Sequence, residues 1–166
     1  MNFKLRSFQE NDLDSLVKYA NNEKIAGNLT DQFPNPYTRE KGMSFIEMAT
    51  QETPRKIKAI DINNEVVGAV GVHPKTDIHK KNAELGYWLA EPFWGRGIMT
   101  KAVTQMVDYG FEYFDINRIY AVPFENNIGS QKVLEKAGFV LEGRFSKTIY
   151  KNGKFLDELV YAVRRP

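Results

Sequence analysis

The chain contains no cysteine, and only two of its 166 residues are histidines. Without cysteine there is no disulfide framework, no thiolate metal site and no thiol nucleophile. The two isolated histidines, His73 and His79, cannot form a metal cluster between them. The composition therefore argues against a metal site and against an acyl intermediate carried on a thiol.

Long apolar runs and a strong charge imbalance are also missing. No segment approaches the about 20 apolar residues that a membrane-spanning helix needs, and the first residues alternate polar with apolar side chains, unlike a signal peptide. The 23 basic and 21 acidic residues leave a net charge of +2, which gives no electrostatic reason to expect a nucleic-acid or membrane partner. We expect a cytoplasmic protein with neither partner.

The length and composition suit one domain. Of the 166 residues, 42% are hydrophobic and 27% are charged, as in a globular domain with a single core. The sequence contains no internal repeat, linker or low-complexity tract. We predict one domain over residues 1–166.

Hydrophobic periodicity predicts strands interspersed with helices. The predicted strands span residues 3–8, 56–62, 66–72, 83–89 and 118–122, and the predicted helices span 12–20, capped by Asn11 or Asp12, a segment capped by Thr38, 100–114 and 130–137. In the helix 100–114 the spacing of apolar residues predicts a buried stripe of Val103, Met106, Val107, Phe111 and Phe114. Hairpin turns are expected at Asn63-Asn64 and, in the last segment, at Asn152-Gly153. The pattern predicts an α+β fold with a twisted mixed sheet of about six or seven strands and helices on both faces.

One segment has the character of an anion-binding turn. An apolar strand breaks at a proline and a helix begins after two glycines, in the run Glu91-Pro92-Phe93-Trp94-Gly95-Arg96-Gly97-Ile98-Met99-Thr100. Glycines let the backbone approach a ligand, and the first helical turn offers unpaired N–H groups. The alternative is an ordinary tight turn. A dinucleotide fingerprint fits poorly, because Thr100 stands in place of the third glycine and the run lies mid-chain.

Four separated segments agree in order and spacing with one family, and the chain resembles the GNAT-superfamily N-acetyltransferases. The segments are 83–89 (AELGYWL), 94–100 (WGRGIMT), 127–130 (NIGS) and 135–139 (EKAGF). They are similar to the branch of ribosomal-protein N-terminal (RimJ/RimL-like) acetyltransferases, as is Pro34-Asn35-Pro36-Tyr37-Thr38. The resemblance covers nearly the whole chain. It implies a single-domain GNAT fold, acetyl-CoA as co-substrate, no metal and an amine acceptor, and it allows a homodimer.

The resemblance implies a cofactor site around the glycine turn. The cofactor-binding residues would lie on a splayed strand, in a phosphate cradle formed by residues 95–100, and at the start of a later helix. They are Tyr87, Trp88, Leu89, Gly95, Arg96, Gly97, Ile98, Met99, Thr100 and Asn127. The family signature has Gln or Arg where this chain has Trp94 and a small residue where it has Met99. We expect the Met99 side chain to turn inward.

Two of these residues, and the nearby Lys101, also have simpler interpretations. Arg96 and Lys101 are candidates for contact with a phosphate, since a guanidinium pairs well with that group, or else both are solvated charges. Asn127 precedes a helix and is suited to cap it, a role compatible with contact to the cofactor.

Acetyl transfer needs a base for the amine, donors for the oxyanion and a proton for the departing thiolate. In the family a glutamate at the position of Glu84 often acts as the base, and here the alternative is a solvated carboxylate. A backbone N–H near Leu89 would stabilise the oxyanion. The tyrosine that often protonates the thiolate is replaced by Leu134, so Ser130 is the candidate donor or sulfur-orienting group, although a serine there can also cap the helix.

The acceptor end is less defined. Phe33 and Tyr37 are the predicted substrate-binding residues, because their segment borders the acceptor groove in the family, but aromatic residues at such places are more often packing residues. The resemblance allows a protein N-terminal α-amine, a polyamine, an amino sugar or another small amine, acetylated directly in a ternary complex. The replaced tyrosine leaves a non-catalytic acyl-CoA-binding or sensing module as the alternative.

Overall fold

The computed structural model describes residues 1–166 and forms one seven-stranded sheet in the order β1-β2-β3-β4-β5-β7-β6. The strands are β1 (Lys4–Arg6), β2 (Ile57–Ile62), β3 (Glu65–Pro74), β4 (Asn82–Leu89), β5 (Arg118–Ala121), β6 (Val140–Lys151) and β7 (Lys154–Arg164). Neighbouring strands are antiparallel except β4 and β5, which are parallel. The predicted α+β fold with a mixed sheet is confirmed.

Five α-helices accompany the sheet: α1 (Leu13–Ala20), α2 (Glu23–Ala26), α3 (Arg39–Thr50), α4 (Ile98–Tyr113) and α5 (Ile128–Lys136). Thr38 caps α3 as predicted, since its Oγ1 accepts a hydrogen bond from the Lys41 N–H. The four-residue α2 was not predicted, because one turn is too short to show a helical period. None of the helices is long and apolar enough to cross a membrane.

The sheet separates two apolar clusters. α4 and α5 cover one face and enclose 23 buried residues with it, and α1 to α3 cover the other face with a cluster of 12. The predicted stripe of α4 is buried except at its end, where Phe114 lies beyond the helix and is only partly covered. Met99 turns into the core, as expected, and is 7% exposed.

Both predicted hairpin turns are present. Asn63 and Asn64 have φ of 54° and 66°, and Asn152 and Gly153 have φ of 50° and 76°. Two consecutive residues with positive φ are typical of the tight turns that join twisted antiparallel strands, and Asn and Gly adopt them at low cost. These turns fix the registers of β2 with β3 and of β6 with β7.

An ion network joins β1 to β2 and to the residue that precedes α1. The Arg6 guanidinium binds both oxygens of Asp12 at 2.8 Å and Asp61 Oδ2 at 2.6 Å, and both aspartates are buried. The two carboxylates hold the pKa of Arg6 well above its ordinary value. Asn11 or Asp12 was the predicted cap of the first helix, but the Asp12 side chain serves Arg6 and the Gln9 N–H instead.

Replacing Arg6 with Ala should destabilise the fold by about 3–5 kcal/mol, because two buried carboxylates would lose their counter-charge. The measurement is the free energy of unfolding in urea. Arg39→Ala is the matched control, since its ion pair with Asp14 is exposed on both sides and should matter by less than about 1 kcal/mol. Equal effects of the two substitutions would show that the Arg6 network contributes no more than a surface pair.

Candidate active site

The site begins where two central strands part. β4 is paired with β5 only through Asn82, Ala83 and Glu84, and from Leu85 to Leu89 its sole partner is β3. One edge of β4 therefore faces a gap instead of a strand, at the position where the family resemblance implies a splayed strand.

Backbone direction alternates along this free edge. The Ala90 N–H donates to the Val67 carbonyl of β3, so the amide and carbonyl of the preceding residue, Leu89, point away from β3. By the same alternation Tyr87 also presents its backbone to the gap. Trp88 has the opposite orientation, with its carbonyl against Gly68 of β3. The backbone role expected of residues 87–89 thus suits Tyr87 and Leu89 and does not suit Trp88.

The glycine turn after β4 is an open backbone surface. Gly95 and Gly97 both have φ of 73°, a conformation that favours glycine, and a Cβ added at either would have no atom within 4 Å. Gly97 immediately precedes α4, and no side chain caps the start of that helix. The N–H groups of its first turn are therefore available to an anion, together with the positive end of a 16-residue helix.

The gap and the turn belong to one cavity of about 720 Å³, a size typical of small-molecule sites. Its wall includes every predicted catalytic and cofactor residue: Glu84, Tyr87, Trp88, Leu89, Gly95, Arg96, Gly97, Ile98, Met99, Thr100, Asn127 and Ser130. Phe33 and Tyr37, the predicted substrate-binding residues, do not line it. Both pack in the cluster beneath α1 to α3, where Tyr37 is 4% exposed and burial raises its pKa to about 12.

Basic side chains dominate the charge of the cavity wall. Arg96, Lys132 and Lys136 line the cavity, are exposed and form no ion pair, whereas Lys24 is held by Glu91. Lys101 does not line it. The sequence reasoning missed Lys132 and Lys136, although their spacing of four residues on the helix after Asn127 places them on one face.

The start of α5 brings two hydroxyl groups together. Asn127 caps the helix, since its Oδ1 accepts a hydrogen bond from the Ser130 N–H at 3.2 Å. Ser130 Oγ lies 2.5 Å from the Tyr87 hydroxyl of β4. Burial raises the pKa of Tyr87 to about 12, against the opposing effect of its hydrogen bond with Ser130. The Tyr87 side chain was not predicted to contribute, because no local pattern connects residues 43 positions apart.

Two further contacts define the ends of the free edge. Glu84 lies at the point where β4 leaves β5, and its Oε2 is 3.3 Å from Lys75 Nζ. At the other end the Trp94 indole N–H donates to the Leu89 carbonyl at 2.6 Å. This bond occupies the Leu89 carbonyl and leaves the Leu89 N–H as the free group of that residue.

Comparison with known proteins identifies the family to which this fold belongs. The acetyltransferase (GNAT) domain family matches residues 2–140. The chain belongs to this family. The resemblance read from the four sequence segments is thereby confirmed.

Individual relatives agree with this assignment. The uncharacterized N-acetyltransferase YoaA of Bacillus subtilis is 34% identical over 102 residues, which make up 61% of this chain and 57% of YoaA. The chain thus spans little more than half the length of that curated relative.

Two solved structures share the GNAT fold over nearly the whole chain. One is RimL, a ribosomal L7/L12 alpha-N-protein acetyltransferase in complex with coenzyme A, with a TM-score of 0.86, 24% identity and coverage of 99% of this chain and 94% of RimL. The other is the microcin C7 self immunity acetyltransferase MccE in complex with acetyl-CoA and AMP, with a TM-score of 0.82, 25% identity and coverage of 98% and 93%.

The capping role of Asn127 can be tested by stability. Asn127→Ala should lower the free energy of unfolding by about 1 kcal/mol, whereas Asn127→Ser should retain most of it, because serine caps a helix about as well as asparagine. Urea denaturation of both variants is the measurement. A serine variant as unstable as the alanine variant would show that Asn127 does not act as a cap.

Proposed function

We propose that this protein is an acetyl-CoA-dependent N-acetyltransferase that moves an acetyl group directly to a primary amine, either a protein N-terminal α-amine or a small-molecule amine. The observation that carries the proposal is the continuous cavity that runs from the free edge of β4 to the glycine turn and the uncapped start of α4. The coenzyme A and acetyl-CoA complexes of the structural neighbours support the choice of co-substrate. We also propose that residues 1–166 act as one domain.

The residues of the cavity suit each part of acetyl-CoA. The uncapped N–H groups at the start of α4 are suited to its pyrophosphate, and Arg96, Lys132 and Lys136 supply unpaired positive charge for its phosphates. The free backbone groups of Tyr87 and the Leu89 N–H are suited to the pantetheine arm. None of these contacts requires the side chain of Trp94, whose indole N–H donates to the Leu89 carbonyl.

The transfer requires the amine nitrogen to attack the thioester carbonyl. The N–C bond forms, the C–S bond breaks and its electron pair leaves on sulfur, while the amine proton passes to Glu84 directly or through water. One of the free N–H groups of Tyr87 and Leu89 stabilises the oxyanion, while the other groups of the free edge bind the pantetheine arm. Ser130 donates a hydrogen bond to the departing sulfur. An α-amine with a pKa of about 7.7 to 8.0 needs little help from the base, whereas a lysine-like amine needs more.

The absence of cysteine permits a clean test of this activity. A thiol-reactive dye will report only the free thiol of released CoA, because the protein has none. We expect thiol release from acetyl-CoA that depends on an added amine, with a free N-terminal peptide, spermidine and an amino sugar as acceptors and an N-acetylated peptide as the negative control. Direct transfer also predicts that acetyl-CoA alone leaves the mass of the protein unchanged.

Other outcomes of this experiment are equally informative. Binding of acetyl-CoA without transfer to any amine would favour the acyl-CoA-binding module that the missing tyrosine at Leu134 suggests.

Thermal shifts with acetyl-CoA, ATP and NADPH separate the ligand classes, since a ligand at about 100 times its Kd stabilises the folded protein by about 2.7 kcal/mol. Stabilisation by ATP or NADPH but not by acetyl-CoA would contradict the proposal.

The cradle predicts that Gly97→Asp abolishes binding of acetyl-CoA, because it adds bulk and negative charge where the pyrophosphate would lie. Gly153→Asp is a matched control: it has a similar φ of 76° and equally open surroundings, but lies in the β6–β7 turn outside the cavity. Isothermal titration with acetyl-CoA should therefore show binding for the wild type and for Gly153→Asp, and none for Gly97→Asp. Unchanged affinity of Gly97→Asp would move the phosphate site elsewhere.

The proposed base predicts that Glu84→Gln lowers kcat by about 10²-fold and alters its pH dependence, while acetyl-CoA binds normally. Glu112→Gln, on the exposed surface of α4 and outside the cavity, is the control. The measurement is kcat against pH for both variants. A wild-type profile for Glu84→Gln would remove Glu84 from the mechanism.

A further inference from the structure

The hydroxyl pair of Tyr87 and Ser130 joins the two sides of the split sheet. Tyr87 projects from the free edge of β4 and Ser130 stands in the first turn of α5, and both line the same cavity. The Oη–Oγ distance of 2.5 Å makes this a short hydrogen bond, while the Ser130 carbonyl, at 3.4 Å, is a much weaker partner for the tyrosine. The Tyr87 hydroxyl is therefore committed to Ser130 Oγ.

The chemistry of the two groups decides which one donates. A phenol is a much stronger acid than an aliphatic alcohol and is therefore the better donor, whereas a serine oxygen is a good acceptor with two lone pairs. The phenol is protonated at physiological pH even at its ordinary pKa of about 10, and burial raises the pKa of Tyr87 further, to about 12. With its oxygen accepting from Tyr87, Ser130 keeps its own hydrogen for a third group.

The remaining neighbours leave that hydrogen free to enter the cavity. The Ser130 N–H donates to Asn127 Oδ1, and Ser130 Oγ forms no hydrogen bond with the protein other than that with Tyr87. Leu134, at the position where the family often has its proton-donating tyrosine, is fully buried in the core and does not line the cavity. Tyr87 is the only tyrosine that lines the cavity, and its hydroxyl is hydrogen-bonded to Ser130 Oγ.

We propose that Tyr87 is a positioning residue: by donating to Ser130 Oγ, it orients the Ser130 hydroxyl so that its hydrogen points at the sulfur of the thioester. This inference rests on the proposed function, since it requires CoA to bind in the cavity. Tyr87 does not itself exchange a proton with the reacting atoms. It makes Ser130 a better donor to the sulfur as negative charge develops there, because a hydroxyl that accepts a hydrogen bond donates a stronger one.

The test uses the thiol of bound CoA, whose ionisation does not depend on any acceptor amine. A hydrogen bond from Ser130 to sulfur favours the thiolate and lowers the pKa of the bound thiol. The protein has no cysteine, but tyrosinate from its eight tyrosines would contribute to ultraviolet absorbance, so the readout is the carbon-13 chemical shift, against pH, of CoA labelled at the carbon bonded to sulfur. Tyr87→Phe should make this ionisation about tenfold less favourable and should lower kcat about tenfold, with KM for acetyl-CoA unchanged.

A double-mutant cycle separates positioning from independent action. Ser130→Ala should have a larger effect than Tyr87→Phe, and the double variant should match Ser130→Ala alone, because Tyr87 acts only through Ser130. Tyr113→Phe, at the exposed end of α4 outside the cavity, should match the wild type. Additive effects of the two substitutions, or an unchanged thiol pKa in Tyr87→Phe, would overturn the inference.

The two proposals fail in different ways. If the thiol pKa responds as predicted but no amine accepts the acetyl group, the positioning role stands and the transferase proposal fails. If acetyl transfer proceeds and the cycle is additive, the transferase proposal stands and Tyr87 is not a positioning residue. If CoA does not bind the wild-type protein, both proposals fall together.

Discussion

Three paired residues hold β4 beside β5, and after Glu84 the two strands part. Everything proposed for the site depends on that parting, because a fully paired β4 would have no backbone groups to offer a ligand. An unpaired backbone N–H or carbonyl destabilises a fold, by about 1–3 kcal/mol, only when it is buried without any hydrogen-bond partner. The open cavity avoids this cost by leaving them accessible to water or to a ligand. The same gap lets the start of α5 approach β4 closely enough for Ser130 to meet Tyr87.

The two apolar clusters keep the gap in place. β3 is buried on both faces, with Val66 and Ala69 beneath α1 to α3 and Val67 and Val70 beneath α4 and α5. β4 is therefore fixed to a rigid neighbour along its whole length, although its other edge is free. α4 anchors the cradle in the same way, since Ile98 and Met99 are buried directly after the exposed Gly97. Rigid packing behind an open surface favours preorganised binding.

Local patterns predicted the elements of the fold, and the family resemblance pointed to 12 residues that line the cavity, whereas contacts between distant segments were beyond both. The hairpin turns, the stripe of α4 and the cap at Thr38 each depend on residues within a few positions of one another, and the structure has all of them. Tyr87 and Ser130 are brought together by the sheet. Arg6 lies only six residues from Asp12, but its ion pair draws the carboxylate away from the cap, and helical periodicity does not reveal such a contact. Tyr37 shows another limit, since the sequence does not decide whether an aromatic residue in a polar loop lines a groove or packs in a core, and Tyr37 packs in the core.

Each departure from the family signature is compatible with a site that is formed mainly by the backbone. Trp94 replaces a polar side chain, but its indole donates to the Leu89 carbonyl, which leaves the adjacent N–H as the group that faces the gap. Met99 replaces a small residue, but its side chain is buried in the core, so the exposed surface of the turn remains backbone. Leu134 fills the core where a tyrosine would reach the sulfur, and a tyrosine on β4 reaches Ser130 from the other side of the gap. A site built largely from main-chain groups tolerates such exchanges, because each substitution changes a side chain and leaves the donors of the backbone in position.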